Sequence, residues 1–422
     1  MTAFDKVIGY EEIKLELRRY ADILKNPDKY AKLGVNMPSG LMLYGEPGLG
    51  KSLMAKCFIE ASGCKAFILR KEKPNGEFVV QIKEIFEQAK AEGPAIVYLD
   101  DMDKFANEDK MHPDAEEYVT VQSCIDECKE YGVFTLATVN DRYCLPDSLL
   151  RVGRFDKTIE VEAPSVKDAP RIIEHYLKDK TVSEEIDIEE IARIMVGKSC
   201  AQLENVINEA GIYAGFEDRS DIRREDIIKA CLRLIFETPK CMLEDDTELD
   251  KVSVIHEAGH TVVAEVLDPG IVSLVSVYCC REDDKGVVVR KQLDNHDWSK
   301  EFMEHDVMGA LAGKAAVEAI YGITELGCEH DIRSARKRLE HLLTRLCEYG
   351  FEEYDGYEKS QFVLEKVDRM IAWEMERLYH QAKKIILDNR EFLDAVVAAL
   401  MKKKTLTFRD ITEIRQSVTI VI

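Results

Sequence analysis

The run Gly45-Glu46-Pro47-Gly48-Leu49-Gly50-Lys51-Ser52 fits the pattern G-x-x-x-x-G-K-[ST] at every fixed position. Glycines at those points let backbone N–H groups curl round the phosphates of a nucleotide, which then rest at the positive end of the following helix. In that arrangement Lys51 reaches the β and γ phosphates of ATP, and Ser52 binds Mg2+. A second run, His256-Glu257-Ala258-Gly259-His260, carries H-E-x-x-H. On a helix His256 and His260 lie one turn apart on one face, so both imidazoles can hold one Zn2+. Glu257 then faces the open coordination position, where it takes a proton from water and generates a nucleophile for a peptide carbonyl. The competing readings are a glycine-rich turn that binds nothing and two histidines that meet by chance.

Each motif needs a complement. Ala95-Ile96-Val97-Tyr98-Leu99 ends in Asp100-Asp101. A buried strand that delivers carboxylates at its C-terminal end supplies the other half of a phosphate site. Asp100 would hold Mg2+ through water, and Asp101 would orient or deprotonate the attacking water. Taken alone, two aspartates after a strand cap a helix; beside the loop above, the functional reading wins. The histidine pair needs a third protein ligand, leaving a fourth position for water. Candidates cluster in Gly327-Cys328-Glu329-His330-Asp331-Ile332-Arg333. On zinc chemistry alone His330 or Cys328 is preferred to a carboxylate.

The elements that must position these groups are legible as alternation. Residues 40–44, 65–69, 95–99, 133–138 and 157–161 are short apolar runs that read as buried parallel strands, with helical stretches such as 53–61 and 80–89 between them. That pattern predicts an α/β sheet with helices on both faces. From residue 165 the strands stop. Residues 166–177, 187–195, 201–214 and 224–235 carry helical apolar spacing and predict a small helical domain. Residues 237–250, with Pro239 and Glu244-Asp245-Asp246, read as a linker. The stretch 252–416 is again mostly helical, with one β-rich insert at 271–292 whose turn signal is Asp283-Asp284-Lys285-Gly286. The expected division is therefore 1–164 for the α/β core, 165–236 for a helical lid, 237–250 for the linker and 251–422 for a mainly helical C-terminal domain.

Composition sets the boundaries on partners. Lys plus Arg is 58 against 80 Asp plus Glu, a formal charge of −22. A surface that acidic argues against nucleic acid or an anionic membrane as the main partner. No apolar run approaches the about 18 residues that span a bilayer, and the first residues lack a signal-peptide pattern. The chain therefore reads as cytoplasmic, without direct membrane insertion. Twelve cysteines are scattered with no C-x-x-C pair, which suits small buried side chains in a reducing compartment.

A resemblance to known families becomes specific further along the chain. Asn140 follows the fourth expected strand, and Ser148-Leu149-Leu150-Arg151-Val152-Gly153-Arg154-Phe155-Asp156 comes just after it. This resembles the second region of homology of AAA+ ATPases. The resemblance makes Asn140 the sensor of the γ-phosphate. It makes Arg151 and Arg154 arginine fingers that reach the ATP of a neighbouring subunit, which implies a homo-oligomeric, hexameric ring. The rival reading of the two arginines is surface salt bridging. The C-terminal part is similar to the metallopeptidase domain of FtsH, in which His-Glu-Ala-Gly-His is followed much later by an Asp ligand in an Asn-Asp-Ile setting. His330-Asp331-Ile332-Arg333 occupies that place, so the resemblance assigns Asp331 as the third ligand.

The likeness to FtsH runs from Phe4-Asp5-Lys6-Val7-Ile8-Gly9 to near Ile414. It includes Lys32-Leu33-Gly34, Phe86-Glu87-Gln88-Ala89-Lys90 and, in the lid, Leu203-Glu204-Asn205-Val206-Ile207-Asn208-Glu209-Ala210. It implies a P-loop AAA+ core with a helical lid, then a zincin-type peptidase domain, using ATP, Mg2+ and Zn2+ on protein substrates. Three departures qualify what it implies. Members normally carry transmembrane helices ahead of the ATPase, and this chain begins at the ATPase. The catalytic Glu after the Mg2+-binding Asp is here Asp101, which sets the carboxylate about 1 Å back, a displacement that can cost on the order of a hundredfold in rate. The pore loop that grips substrate should fall at 73–78, where Pro74 stands in place of the aromatic and Phe78 either substitutes from a shifted loop or packs locally. Two functions follow: an ATP-dependent zinc endopeptidase, or an assembly ATPase with weak hydrolysis and an uncoupled peptidase.

Overall fold

A computed structural model describes residues 2–71, 77–106, 115–184, 186–237, 250–278, 286–291, 299–324, 326–345 and 361–422. Pro74, most of the expected linker and residues 283–285 lie outside these. The chain forms two compact units, Met1–Asp179 with Gly197–Asn205, and Lys180–Val196 with Val206–Ile422.

The first unit is built on five parallel strands in the order β2-β3-β4-β1-β5. They are β1 (Gly40–Tyr44), β2 (Lys65–Arg70), β3 (Ala95–Asp100), β4 (Val133–Val139) and β5 (Lys157–Glu160). Successive side chains on a strand point to opposite faces, so a strand covered on both faces must be apolar throughout. Leu41, Leu43, Ile96, Tyr98 and Leu136 join Leu17, Met54 and Phe58 in one core. Met42, Val97, Leu99 and Ala137 join Ile82, Phe86 and Ile125 in the other. Each large side chain so buried contributes about 1.5–3 kcal/mol. Phe78 packs locally: it is buried and meets the Phe105 ring edge-on, with centroids 4.8 Å apart.

The chemistry of this unit lies at the C-terminal ends of β1 and β3, on either side of β4. Leaving β1, the chain turns at Gly45 with φ +144°. A Cβ there would lie 2.1 Å from the Val161 carbonyl oxygen, so only glycine permits the turn. The loop then enters the Lys51–Ser62 helix.

The second unit is mainly helical. Its centre is the Lys251–Leu267 helix, which begins at Asp250, whose carboxylate caps the N–H groups of Val252 and Ser253. Every residue from Val254 to Val266 is buried, as expected of a helix enclosed on all sides. The Lys300–Tyr321 helix crosses it closely. A Cβ on Gly259 would already lie 2.5 Å from Ala316 Cβ and 2.6 Å from the Ala312 carbonyl. Alongside runs an antiparallel sheet in the order β7-β6-β8, made of β6 (Val272–Ser276), β7 (Val287–Arg290) and β8 (Thr405–Thr407). Strands β6 and β7 fall within the expected β-rich insert; β8, three residues beyond a helix, was not expected. The 165–236 stretch is also not purely helical, since Val182 and Ile222 form a parallel bridge.

A buried polar network ties residues 180–196 to β8 inside this unit. Arg224 donates to both oxygens of Glu190 (2.7 and 2.9 Å) and to Thr407 Oγ1 (2.6 Å), and Thr407 donates to Glu190 Oε1 at 2.5 Å. Arg193 lies 3.7 Å above the Phe408 ring. Among the described residues no helix is long and apolar enough to cross a membrane.

Glu190 is almost fully enclosed and takes both of Arg224's short ionic contacts, so removing its carboxylate leaves the Arg224 charge without them. Glu190→Ala is expected to lower unfolding free energy by about 3 kcal/mol, read as a shift of the denaturant midpoint. An unchanged midpoint would show that the network does not hold the segment.

Candidate active site

In the second unit the Lys251–Leu267 helix presents His256 and His260 on one face, their rings 4.7 Å apart between centroids. Their Nε2 atoms lie 3.0 Å apart. Asp331, in the first turn of the Glu329–Arg345 helix, brings Oδ2 to 3.0 Å from His256 Nε2 and 3.4 Å from His260 Nε2. Three lone-pair atoms thus form a triangle with edges of 3.0–3.4 Å. Ligands held about 2.0–2.1 Å from a tetrahedral Zn2+ stand about 3.3 Å apart, so the donor set fits that ion. Among the described residues this is the one such cluster. His330 is exposed on the same helix, and Cys328 is buried before it.

The tautomer is set from behind. His260 Nδ1 donates to the Gly309 carbonyl at 2.7 Å, which leaves the Nε2 lone pair for a metal. Gly313 lies beneath both rings; a Cβ there would sit 2.5 Å from His256 Nε2 and 2.6 Å from His260 Nε2. Burial would push the His260 proton off, but the hydrogen bond and charge of Asp331 outweigh it and raise its pKa. Burial likewise opposes the Asp331 carboxylate, and the two imidazoles overcome it, holding the carboxyl well below its ordinary value. A cation held by these three residues would satisfy the same acceptors in place of a proton.

Glu257 is buried beside the ligands, on the turn between them. Its carboxyl lies under the start of β7, where a Cβ on Gly286 would be 2.6 Å from Glu257 Cγ. The fold brings together His256, His260 and Asp331, the three residues that the sequence points to, with Glu257 beside them. Sequence reasoning missed Gly286, Gly309 and Gly313, whose only signal was glycine inside a strand–helix region that propensity disfavours.

In the first unit Gly48 and Gly50 have φ +80° and +87°, and Lys51 begins the helix. Lys51 Nζ donates to the carbonyls of Gly45 (2.6 Å) and Glu46 (2.7 Å), inside the loop where phosphates would bind. Burial lowers its pKa, against the charges of Asp101 and Asp103. Glu46, Pro47 and Gly48 are exposed on the outer turn, and Leu49 is buried in the core. Ser52 Oγ lies 3.2 Å from Asp100 Oδ1, so the two groups expected to share Mg2+ are adjacent.

Asp100 is surrounded by donors. Oδ1 accepts from Tyr98 (2.5 Å) and Thr138 (2.9 Å). Burial would raise its pKa, but these bonds outweigh it and keep the carboxyl below its ordinary value. Asp101 has φ +53°; its N–H donates to Thr138 Oγ1 at 3.1 Å, while its carboxylate pairs with Lys104 (2.9 Å) and Arg70 (3.4 Å). Asn140 sits at the end of β4, its N–H donating to Asp103 Oδ1 at 3.1 Å. Asp103, fully buried, was not singled out from the sequence, although it follows Asp100-Asp101 by two residues. Arg151 is exposed. Arg154 is held within its own chain by Asp126 (2.8 Å), Gln122 (3.1 Å) and the Ser148 carbonyl (2.6 Å).

Residues 41–163 match the ATPase family associated with various cellular activities (AAA), and residues 244–414 match peptidase family M41. The ATP-dependent zinc metalloprotease FtsH 2 of Symbiobacterium thermophilum is 30% identical over 97% of this chain and 74% of that protein. This chain belongs to the FtsH family. FtsH of Thermus thermophilus is 29% identical over 96% of the chain and 69% of its own length. FtsH 2 of a Thermoanaerobacter species is 29% identical over 96% and 81%. Residues 45–52 lie within the first family match, and His256, His260 and Asp331 lie within the second.

Two measurements follow. Glu257→Gln is expected to retain bound zinc yet abolish cleavage of a casein-like substrate, while Asp331→Ala lowers bound zinc; unaltered stoichiometry in the latter would move the third ligand to His330. Thr138→Val removes one donor from Asp100 and the acceptor of the Asp101 N–H. Phosphate release should fall about tenfold, a rise of about 1.4 kcal/mol in the barrier, while a fluorescent nucleotide still binds.

Proposed function

We propose that this FtsH-family chain is an ATP-dependent zinc metalloendopeptidase that unfolds and degrades proteins, with AAA ATP hydrolysis coupled to peptide cleavage. The observation that carries this reading is the convergence of His256, His260 and Asp331 beside Glu257, in a chain that also holds an intact phosphate loop facing Asp100. The two imidazoles and the Asp331 carboxylate would hold Zn2+, which would supply Lewis-acid polarisation of the scissile carbonyl. Glu257, fixed beneath β7, takes the proton of the attacking water and returns it to the leaving amine. The Gly309 carbonyl accepts from His260 Nδ1 and so turns Nε2 toward Asp331 and His256. In the nucleotide site Lys51 neutralises phosphate charge, Ser52 and Asp100 hold Mg2+, Asp101 orients water and Asn140 senses the γ-phosphate.

The same proposal divides the chain into a nucleotide core (1–164), a helical lid (165–236), a linker (237–250) and the peptidase (251–422). It takes the active species to be a homo-hexameric ring, with Arg151 and Arg154 reaching a neighbour's nucleotide. The exposed side chain of Arg151 supports that role, and Arg154 would exchange its present partners, Asp126 and Gln122, for phosphate oxygens. A cytoplasmic location without membrane insertion belongs to the reading too; the buried unpaired thiols of Cys57, Cys124, Cys128 and Cys231 suit a reducing compartment. The alternative of an assembly ATPase with an uncoupled peptidase is not favoured, because the relatives are named as ATP-dependent proteases.

Coupling is tested by degrading a stably folded and an unfolded substrate, each with and without ATP. Loss of only the folded activity without ATP is expected; equal rates throughout would overturn the coupled reading. Ring action is tested by mixing Arg154→Ala subunits with wild type. ATP turnover should fall by more than the mutant fraction, and strict proportionality would contradict fingers that act between subunits.

A further inference from the structure

Three separate elements must stay in register for the zinc site to exist. The Lys300–Tyr321 helix supplies the Gly309 carbonyl and the Gly313 seat; β7 covers Glu257; the Glu329–Arg345 helix delivers Asp331. One carboxylate touches all three. Asp306 lies on the Lys300–Tyr321 helix, three residues before Gly309 and seven before Gly313, a spacing that puts it on their side of the helix. Its Oδ1 accepts from Arg290 NH1 at 2.7 Å, and Arg290 is the last residue of β7. Its Oδ2 pairs with Arg338 Nε at 3.0 Å, and Arg338 also donates to the Asp306 backbone carbonyl at 3.2 Å. Arg338 stands seven residues after Asp331 on one helix.

The contact with β7 is tight. The Arg290 guanidinium lies so close to Gly309 that a Cβ there would be 2.0 Å from NH2. The side chain held by Asp306 is therefore wedged against the residue whose carbonyl orients His260. The neighbouring His305 pairs with Asp268 at 3.0 Å, so the charges facing Asp306 are the two arginines.

We propose that Asp306 is a positioning residue of the zinc site, bridging Arg290 and Arg338 so that β7, the glycine-bearing helix and the helix of Asp331 hold one geometry. Without it, two guanidinium groups face each other across the junction, and repulsion moves β7 off Glu257 and the Asp331 helix off the triangle. The proposal rests on the metal site described above.

The test uses the full chain and the variant Asp306→Ala. The zinc dissociation constant, measured against a chromogenic chelator, should rise about tenfold, the scale found for groups that orient metal ligands. For an unfolded peptide kcat should fall while KM holds. Asp368→Ala is the control: it breaks the Arg336–Asp368 pair (2.6 Å) on the outer side of the same Glu329–Arg345 helix and should leave zinc affinity unchanged. Arg338→Lys, which keeps the charge, should give a smaller loss and remains readable if Asp306→Ala does not fold. Wild-type zinc affinity in both Asp306→Ala and Arg338→Lys, or an equal loss in the control, would overturn the proposal. Failure of the wild-type chain to bind zinc would instead overturn the metal-site reading.

Discussion

Three lone-pair atoms aimed at one point inside a protein repel one another unless a cation sits between them. The second unit is arranged around that constraint. His256 and His260 converge on Asp331 because the helix that carries them is pressed against another helix at Gly259, Ala312, Gly313 and Ala316, and at the two glycines not even a methyl has room. The same glycines that weaken a helix in isolation are what let the two backbones touch. Burial then does the electrostatic work. It opposes charge on both His260 and Asp331, and the hydrogen bonds among Asp331, the two imidazoles and the Gly309 carbonyl outweigh that cost.

The nucleotide site solves a related problem with the opposite sign. Lys51 is buried and Asp100 half-buried at the C-terminal end of a parallel sheet, and each is given polar partners from backbone or side chain in advance. Thr138 is the economical element, donating to Asp100 and accepting from the Asp101 N–H with one hydroxyl. Preorganised groups of this kind need little reorganisation when a phosphate or Mg2+ arrives. The left-handed backbone at Asp101 places its carboxylate against Lys104 and Arg70.

Much of this was legible in the sequence where local pattern and chemistry coincide. The β1 strand, the phosphate loop and the H-E-x-x-H helix each combine a fixed motif with flanking periodicity, and they lie where the residues predicted. Asp331 was reached through family resemblance; zinc chemistry alone pointed to His330 or Cys328, because ligand preference says nothing of which way a helix faces. What could not be read was long-range. β8 is three residues long and pairs with β6 from more than a hundred residues away. Glu190, Arg224 and Thr407 look like ordinary surface residues until the fold encloses them together. Gly309 and Gly313 carry no motif, and their role appears only when the facing helix is in place.

Two imidazoles and one carboxylate, and no sulfur, are proposed to hold the metal. X-ray absorption at the zinc edge of the purified full chain reads this directly. The expected spectrum shows only nitrogen and oxygen scatterers at about 2.0–2.1 Å, with the multiple-scattering signature of two histidine rings. A sulfur shell near about 2.3 Å, or a single imidazole, would contradict it.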